Sequence, residues 1–249
     1  MKESIFDAYS QYYDLLYHDK NYKKERDYIH NLLTRFGFTK GNILEFGSGT
    51  GKHGSLLAEL GYIVHGIELS DEMIAKVKPF PGFTCQQGDI TLTNMNQTYD
   101  TILSLFHVMN YQIKNKQLQD VFVNAGKHLN SGGLFIFDFW YSPAVYAQKP
   151  LIRVKRATNK KIEVTRIAEP EIYPNENRVD VNYNIFIKDL ATKSINTFKE
   201  VHRVRHFNLP EIDILCDIYG FKRINAEEFV SGANLSEETW SACVALKKI

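Results

Sequence analysis

A glycine-rich segment, ILEFGSGTGKHG (Ile43 to Gly54), is the part of the sequence whose residue types and spacing most clearly suit chemistry. Gly47, Gly49 and Gly51 follow a short apolar run and precede residues at helical spacing. Glycine permits positive φ and close approach of the backbone to a ligand, and the free N–H groups at the start of a helix suit an anionic group. The segment therefore predicts a strand, a turn and a helix whose backbone holds a cofactor.

Acidic side chains stand at or near the ends of three predicted strands. Glu45 precedes the glycines, Glu68 lies near the end of IVHGIEL about 20 residues beyond them, and Asp89 follows FTCQQG. A carboxylate at the tip of the strand next to a glycine turn can bind both hydroxyls of a ribose. Because ligands of open α/β sheets bind at the carboxyl ends of the strands, we expect these acids to lie beside the glycine turn.

The spacing of the glycines separates two classes of cofactor. A dinucleotide-binding fingerprint reads G-x-G-x-x-G, but Lys52 stands where its third glycine belongs, and the spacing is G-x-G-x-G. Preceded by Glu45, the segment resembles motif I of class I S-adenosylmethionine-dependent methyltransferases, whose glycine loop lies along the methionine part of the cofactor. In that family Asp89 matches the acid that contacts the adenine amino group, and Leu105 with Phe106 matches a segment that lines the cofactor. The resemblance implies S-adenosyl-L-methionine as cofactor, S-adenosyl-L-homocysteine as product, no metal, and as cofactor-binding residues Tyr22, Glu45, Gly47, Gly49, Gly51, Glu68, Leu69, Asp89, Ile90 and Leu105.

Segments outside the cofactor half are similar to one subgroup of that family, which includes the nucleotide-linked amino-sugar N,N-dimethyltransferases of deoxysugar pathways. The similar segments are YYDLLYHDKNYKKE, FHVMNY, FDFWYSPAVY and VHRVRHFN. The resemblance implies that Tyr17 and Tyr22 help to close the methyl-transfer pocket, and Tyr111 falls where some relatives place a polar residue beside the acceptor. Tyr17, Tyr111 and His107 are the catalytic candidates. Core packing of Tyr17 and a structural role for His107 are the alternatives.

The acceptor side of the predicted site is formed by the end of the fifth strand and by a basic group. Asp138 and Trp140 end that strand, while Arg203 and Arg205, with histidines at positions 202 and 206, could meet a diphosphate. Core packing of Trp140 and a solvated strand face for the arginines are the alternatives. The segment SGANLSEETW contains no arginine, so an anion contact of the sugar enzymes in that segment does not carry over. The substrate-binding candidates are Trp140, Arg203 and Arg205.

The elements that position these residues alternate between strand and helix as far as Trp140. Apolar residues at helical spacing predict a helix over 22–36, and short apolar runs separated by amphipathic segments predict strands and helices in turn. This alternation predicts an α/β fold with a doubly wound, mostly parallel sheet that is covered on both faces. The resemblance implies a seven-stranded, Rossmann-like methyltransferase sheet.

After Pro150 the sequence pattern changes to period two. KIEVTRI, RVDVNYNIFIKD and SINTFKEVHRVRHF predict three strands, with turns at Pro174 and Asp189 between them. We expect a single domain over residues 1–249, with a helical cap at 1–40 and an inserted antiparallel sheet at 151–207 over the acceptor site.

The composition is that of a globular protein without an excess of either charge. The 249 residues include 44% hydrophobic and 24% charged residues, and the formal net charge is +1. A balanced charge gives no field that draws the whole molecule to nucleic acid, and no segment approaches the ~20 apolar residues of a membrane span. The three cysteines form no CxxC pair, so neither a disulfide framework nor a zinc knuckle is indicated. We expect a cytoplasmic protein with a small-molecule substrate, no nucleic-acid or membrane partner, and a homodimer as the assembly to test.

The resulting prediction is methyl transfer to a nitrogen or oxygen atom of a small molecule, with a nucleotide-linked amino sugar as the acceptor that the resemblance favours. An amine needs little acid–base help, whereas a hydroxyl acceptor needs a base such as His107, and the sequence leaves both open. The rivals are an NAD(P)-dependent oxidoreductase, a non-catalytic binding module with a methyltransferase fold, and an RNA or DNA methyltransferase. The displaced third glycine disfavours the first rival, and the balanced charge with the lack of an NPPY-like motif disfavours the third.

Overall fold

The protein has one central sheet with helices on both faces and a second, smaller sheet. The computed structural model describes Tyr12 and residues 15–249. Its helices are α1 (Tyr22–Arg35), α2 (Lys52–Ala58), α3 (Asp71–Ile74), α4 (Asn115–His128), α5 (Ser142–Gln148) and α6 (Leu209–Tyr219), with short 3₁₀ helices at Val108–Tyr111 and Pro174–Glu176. Its strands are β1 (Asn42–Phe46), β2 (Ile63–Glu68), β3 (Phe83–Gln87), β4 (Tyr99–Ser104), β5 (Leu129–Trp140), β6 (Arg153–Thr158), β7 (Ile162–Tyr173), β8 (Arg178–Asp189), β9 (Ile195–Arg205), β10 (Phe221–Glu228) and β11 (Ser241–Lys248).

The central sheet has seven strands in the order β10-β11-β5-β4-β1-β2-β3. The strands β1 to β5 run parallel, and β11 is antiparallel to both β5 and β10. The strand order reverses direction between β1 and β4, which is the point where open α/β sheets bind their ligands. The prediction of a doubly wound, mostly parallel seven-stranded sheet is confirmed.

Alternating side chains of the central strands build a core on each face of the sheet. On one face Phe135 and Phe137 of β5 pack with Phe122 of α4. On the other face Ile136 joins a cluster that contains Ile29 of α1. Each fully buried side chain of this size stabilises the fold by about 1.5–3 kcal/mol, so the two clusters hold the strand ends rigidly in place.

The second sheet is antiparallel, with four strands in the order β6-β7-β8-β9. The sequence predicts three of them. It misses β6, an edge strand (RVKRAT) in which only Ala157 is buried, so that charge hides the period-two signal. The sheet packs through Val164 and Ile185 against Tyr12 and through Val181 against α5.

The inserted segment leaves and rejoins the domain at one place. Phe207 N donates to Trp140 O (3.0 Å), and Ser142 N donates to Phe207 O (2.9 Å), which forms a parallel bridge between Tyr141 and Phe207. Both ends of the four-stranded sheet are therefore fixed to the carboxyl end of β5.

Two further observations concern the termini and the helices. In the predicted cap over 1–40, residues 1–11, 13 and 14 lie outside the described residues, and α1 is the helix that the pattern over 22–36 predicts. Among the helices of the described chain, none is both long enough and apolar enough to cross a membrane.

Candidate active site

A cavity of about 460 Å³ lies at the carboxyl ends of β1, β2 and β4. The central sheet and its loops form one side of the cavity, and inward-facing residues of β8 and β9 form part of the other. The predicted site residues that line it are Tyr17, Tyr22, Gly47, Gly49, Glu68, Leu69, Asp89, Ile90, Leu105, His107, Tyr111 and Trp140. The fold thus brings most of the predicted residues to a single cavity.

The glycine turn is tied to β2 and has positive φ at each of its three glycines. Gly47 N donates to Ile67 O (2.8 Å), and φ is +72° at Gly47, +57° at Gly49 and +75° at Gly51. A Cβ on Gly47 would lie 2.6 Å from Val108, whereas a Cβ on Gly49 would meet no atom of the described residues within 4 Å. Gly49 therefore leaves free space on the cavity side.

Gly51 serves packing and does not line the cavity. It occupies the N-cap position of α2, and a Cβ on it would overlap the ring of Phe83. Direct contact of Gly51 with a cofactor is therefore not supported, because its α-carbon faces the core under the turn.

Glu68 connects the tip of β2 to the glycine turn. One carboxylate oxygen, Oε2, accepts from Gly49 N (2.8 Å), and the other, Oε1, accepts from Ser70 N (3.0 Å). Glu68 is mostly buried but lines the cavity, so its carboxylate is held at the position that the sequence predicts.

Glu45 lies beneath the turn and not on the cavity wall. Its side chain is buried, and the backbone N–H of Gly54 in α2 donates to it. Burial, with the nearby charge of Glu68, raises the pKa of the Glu45 carboxyl to about 8. The position of Glu45 does not support the prediction that it binds the cofactor, because the carboxyl points into the space between β1 and α2.

Asp89 and Ile90 belong to a loop that follows β3 and is held from below by α4. Asp89 Oδ1 accepts from the backbone N (2.8 Å) and the hydroxyl (2.7 Å) of Thr91. Asn124 Nδ2 donates to Ile90 O (2.9 Å) and to Thr93 O (3.1 Å). Sequence reasoning missed Asn124, although a polar residue on the buried face of an amphipathic helix is a signal for such a contact.

Aromatic and charged residues from the N-terminal part of the chain form another wall of the cavity. The Tyr17 ring packs edge-on against Phe106 (5.3 Å between centroids), and Arg166 donates to the Tyr17 hydroxyl (3.1 Å). Tyr22 packs against His53, whose Nε2 lies 2.6 Å from an oxygen of Glu25. His53 also lines the cavity and was not predicted.

His107 is fixed by Asp138 in an unusual backbone conformation. Phe106 and His107 both have positive φ, +64° and +63°, which costs energy for residues with side chains and is typical of functional sites. The backbone N–H of His107 donates to Asp138 Oδ1 (3.2 Å), and its Nε2 lies 3.2 Å from Asp138 Oδ2 and 3.1 Å from Ser241 Oγ. Burial lowers the pKa of His107, so the imidazole is neutral at pH 7. With Nε2 directed at Asp138, the lone pair of the ring is on Nδ1.

Tyr111 begins a chain of buried contacts that crosses to the four-stranded sheet. The Tyr111 hydroxyl lies 2.8 Å from His202 Nδ1, and His202 Nε2 lies 3.2 Å from Glu200 Oε2. Tyr12 donates to the second oxygen of Glu200 (2.9 Å). Tyr111 and His202 line the cavity, and Tyr183 packs against the His202 ring (4.8 Å between centroids).

Trp140 lines the cavity, but Arg203 and Arg205 are not among the described residues that do so. Successive residues of β9 point to opposite faces, so His202 and Val204 face the cavity and the two arginines face away. Arg203 is 59% exposed and pairs with Asp180, while Arg205 pairs with Glu211. The prediction that these arginines bind the substrate is therefore not supported by their position.

No group of three or more His, Cys, Asp or Glu residues that could hold a metal ion occurs in the part of the chain that the structure describes. The groups that surround the cavity are backbone amides, carboxylates, hydroxyls and aromatic rings. Such a set suits an organic cofactor and an organic acceptor.

Comparisons with known proteins agree with this geometry. Residues 43–133 match the family model described as a methyltransferase domain. An uncharacterised methyltransferase of Bacillus cytotoxicus is 34% identical over 140 residues, which cover 53% of this chain and 64% of that protein. The match thus spans less than two thirds of that relative.

Solved structures resemble the chain over nearly its whole length at low sequence identity. A sugar N-methyltransferase of Streptoalloteichus sp. has a TM-score of 0.81 at 18% identity and covers 95% of this chain and 92% of its own. An amino pentose methyltransferase of Micromonospora echinaspora, solved with S-adenosylmethionine bound, has a TM-score of 0.76 at 18% identity and covers 100% of both chains. At such identities the likeness shows the fold, including the four-stranded sheet.

Proposed function

Because residues 43–133 match the model of a methyltransferase domain and the fold resembles that of solved S-adenosylmethionine-dependent methyltransferases, we propose that this protein transfers a methyl group from S-adenosylmethionine to a nitrogen or oxygen atom of a small molecule. The observation that carries the proposal is the single cavity that joins the glycine turn and Glu68 to an aromatic wall. The acceptor that we propose is a nucleotide-linked amino sugar.

The residues of the cavity fit this cofactor. The open space at Gly49 leaves room for the methionine part beside the turn. Glu68 would accept from the two ribose hydroxyls, and Asp89 would accept from the adenine amino group. Leu69 and Ile90, both on the cavity wall, would pack against the adenine ring.

When bound, the cofactor supplies a methyl group on a positively charged sulfur. Transfer is an in-line displacement that spreads and neutralises charge, so the main task of the protein is to align the acceptor atom with the methyl group. Tyr17, Phe106 and Trp140 line the cavity with aromatic surface, which would shield the bound groups from water. His107 and Tyr111 also line the cavity, and in this proposal a ring nitrogen of the first and the hydroxyl of the second form hydrogen bonds with the acceptor.

The amino-sugar acceptor is supported by the two solved structures whose descriptions name sugar or amino pentose methylation. The four-stranded sheet that they share with this chain provides Val181, Tyr183, His202 and Val204 to the cavity wall. The diphosphate contact predicted for Arg203 and Arg205 does not support this acceptor, because these side chains point away from the cavity.

Two rivals are disfavoured by specific observations. A dinucleotide-binding site needs a glycine where Lys52 stands, and Lys52 also lines the cavity. A non-catalytic module would not need an open cavity beside the cofactor turn. The lack of net charge disfavours an RNA or DNA substrate.

Calorimetric binding of S-adenosylhomocysteine tests the first half of the proposal. We expect the product to bind the wild-type chain, and Glu68→Ala to weaken it about 150-fold or more, because two charge-assisted hydrogen bonds of about 1.5–3 kcal/mol each are lost. Glu238→Ala, an exposed glutamate far along the chain, is the matched control. No binding by the wild-type chain would refute the proposal. A screen with labelled donor against amino-sugar and hydroxy-sugar nucleotides tests the acceptor.

We further propose that the protein acts in the cytoplasm on a small molecule. Cys85, Cys216 and Cys243 are free thiols, which accords with a reducing compartment. The homodimer and the lack of nucleic-acid and membrane partners stay predictions from the sequence. Gel filtration with light scattering measures the first, and salt-dependent retention on DNA and sedimentation with vesicles measure the others.

A further inference from the structure

The contacts from Tyr111 to Glu200 connect the acceptor side of the cavity to a buried carboxylate. Tyr111 lies in the loop after β4, and His202 and Glu200 are two residues apart on β9, so their side chains share one face. Glu200 and His202 are buried, and Tyr111 is half-buried and lines the cavity. Neither the family resemblance nor the glycine motif assigns a role to His202 with Glu200.

When the His202 ring carries one proton, the donors and acceptors in these contacts have one consistent arrangement. Glu200, as a carboxylate, can only accept, so His202 must donate to it from Nε2. The lone pair of His202 is then on Nδ1, and Tyr111 must donate its hydroxyl proton to that atom. Tyr12 donates to the other oxygen of Glu200 and holds the carboxylate in place.

We propose that Tyr111, His202 and Glu200 form a proton relay that removes the proton of the methyl acceptor, an inference that rests on the proposed function. The acceptor nitrogen or oxygen gives its proton to the Tyr111 oxygen as the Tyr111 proton moves to His202 Nδ1. The acceptor lone pair forms the new bond to the methyl carbon, and the sulfur keeps the electron pair of the bond that breaks. His202 is left as an imidazolium beside the Glu200 carboxylate and returns its proton to solvent after release of the product.

The surroundings of His202 suit this role. Tyr111 and Glu200 contact its two ring nitrogens, Tyr183 packs on its ring, and the Arg166 guanidinium lies over Tyr183 (4.6 Å to the centroid). Burial raises the pKa of Tyr111, so its hydroxyl keeps a proton except while it passes one on. In this proposal Tyr111 touches the acceptor, and Glu200 acts through His202 as a positioning residue.

The first test determines which ring nitrogen of His202 carries the proton, and it needs no methyl acceptor. Long-range ¹H–¹⁵N spectra of the full chain with S-adenosylhomocysteine, assigned through His202→Asn, should show the His202 proton on Nε2. Tyr111→Phe should shift the Nδ1 signal, and Glu200→Gln should shift the Nε2 signal. His30→Asn removes a histidine that pairs with Tyr62 (3.0 Å) outside the cavity, and it should shift neither signal. A proton on Nδ1 of His202 would overturn the proposal.

The second test measures methyl transfer from labelled donor to a nucleoside diphosphate-linked amino sugar and to its hydroxyl counterpart. Tyr111→Phe, His202→Asn and Glu200→Gln should each lower kcat about 100-fold with the hydroxyl acceptor and by less with the amine, with an unchanged Kd for S-adenosylhomocysteine. With the amine, activity of the His202 and Glu200 variants should recover as the pH rises, because solvent then removes the proton.

The outcomes separate the relay from the proposed function. Variants with wild-type kcat and pH profile, or a loss of activity that follows a loss of cofactor affinity, would overturn the relay. A wild-type chain that binds the product but methylates neither probe contradicts the proposed acceptor, and the spectra then decide the relay. A wild-type chain that fails to bind the product contradicts the proposed function itself.

Discussion

The substitution Gly49→Ala separates the cofactor contact of the glycine turn from its effect on the fold. Gly49 has a φ of +57°, and no described atom lies within 4 Å of the Cβ that alanine would add. A left-handed conformation costs an alanine about 1–2 kcal/mol, which should appear as a loss in the free energy of unfolding. The added methyl group would occupy open space at this cavity-lining residue, where we place the methionine part of the cofactor. Accommodating it should cost about 1–3 kcal/mol of binding, which is about a 5- to 150-fold rise in Kd.

Gly220→Ala is the matched control for this substitution. Gly220 ends α6 with a φ of +74°, its added Cβ would also meet no described atom within 4 Å, and it does not line the cavity. Urea unfolding followed by circular dichroism should show similar losses for both variants, while calorimetry with S-adenosylhomocysteine should show weaker binding for Gly49→Ala alone. Equal affinity in the two variants would show that the cofactor does not lie along the turn. A much larger loss of stability in Gly49→Ala would show that the methyl group does not enter open space.

Three further predictions concern residues around the turn. Gly51→Ala should lower the free energy of unfolding by about 2–4 kcal/mol in urea titrations, since its methyl group would overlap the Phe83 ring at positive φ; a loss no larger than that of Gly220→Ala would contradict this packing. Asn124→Ala should cost about 1–3 kcal/mol of stability and raise the Kd for S-adenosylhomocysteine several-fold, because it frees the carbonyls of Ile90 and Thr93; an unchanged Kd would show that the loop holds itself. Glu45→Gln should raise the free energy of unfolding above that of the wild-type chain by more at pH 8 than at pH 5. The folded-state pKa of Glu45 is raised from 4.5 to about 8. As the pH rises through this range, only the unfolded wild-type chain ionises at this position, so the wild-type chain loses stability, whereas glutamine stays neutral. The same difference in the free energy of unfolding between the two chains at both pH values would contradict this prediction.

The cofactor half of the site was predictable because the signals are local. Positive φ demands glycine at Gly47, Gly49 and Gly51, and parallel strands bring Glu68 and Asp89 to the same edge of the sheet. The position of Glu45 was not predictable in this way. The number of residues between Glu45 and the glycines is the same whether its side chain faces the cavity or the helix α2. Only the packing of α2 against β1 decides between the two orientations.

The acceptor half depends on register and on contacts between distant segments. The structure does not bring Arg203 and Arg205 to the cavity with His202, and the sequence contained the signal for this, since alternation along a strand sends the arginines to the opposite face. Glu200 and Asn124 were missed for another reason. A buried polar residue is recognised only through its partner, and the partners Tyr12 of Glu200 and Ile90 of Asn124 are 188 and 34 residues away.

The bridge between Tyr141 and Phe207 has an evolutionary consequence. Sixty-odd residues depart from the domain and return to it across one rung of hydrogen bonds, so their length and sequence can change while the ends of the neighbouring strands stay where they are. Selection can thus change the sheet that lines one side of the cavity without altering the glycine turn and Glu68 on the other side. The same exchange can be made experimentally by replacing residues 142–206 with the corresponding segment of a relative.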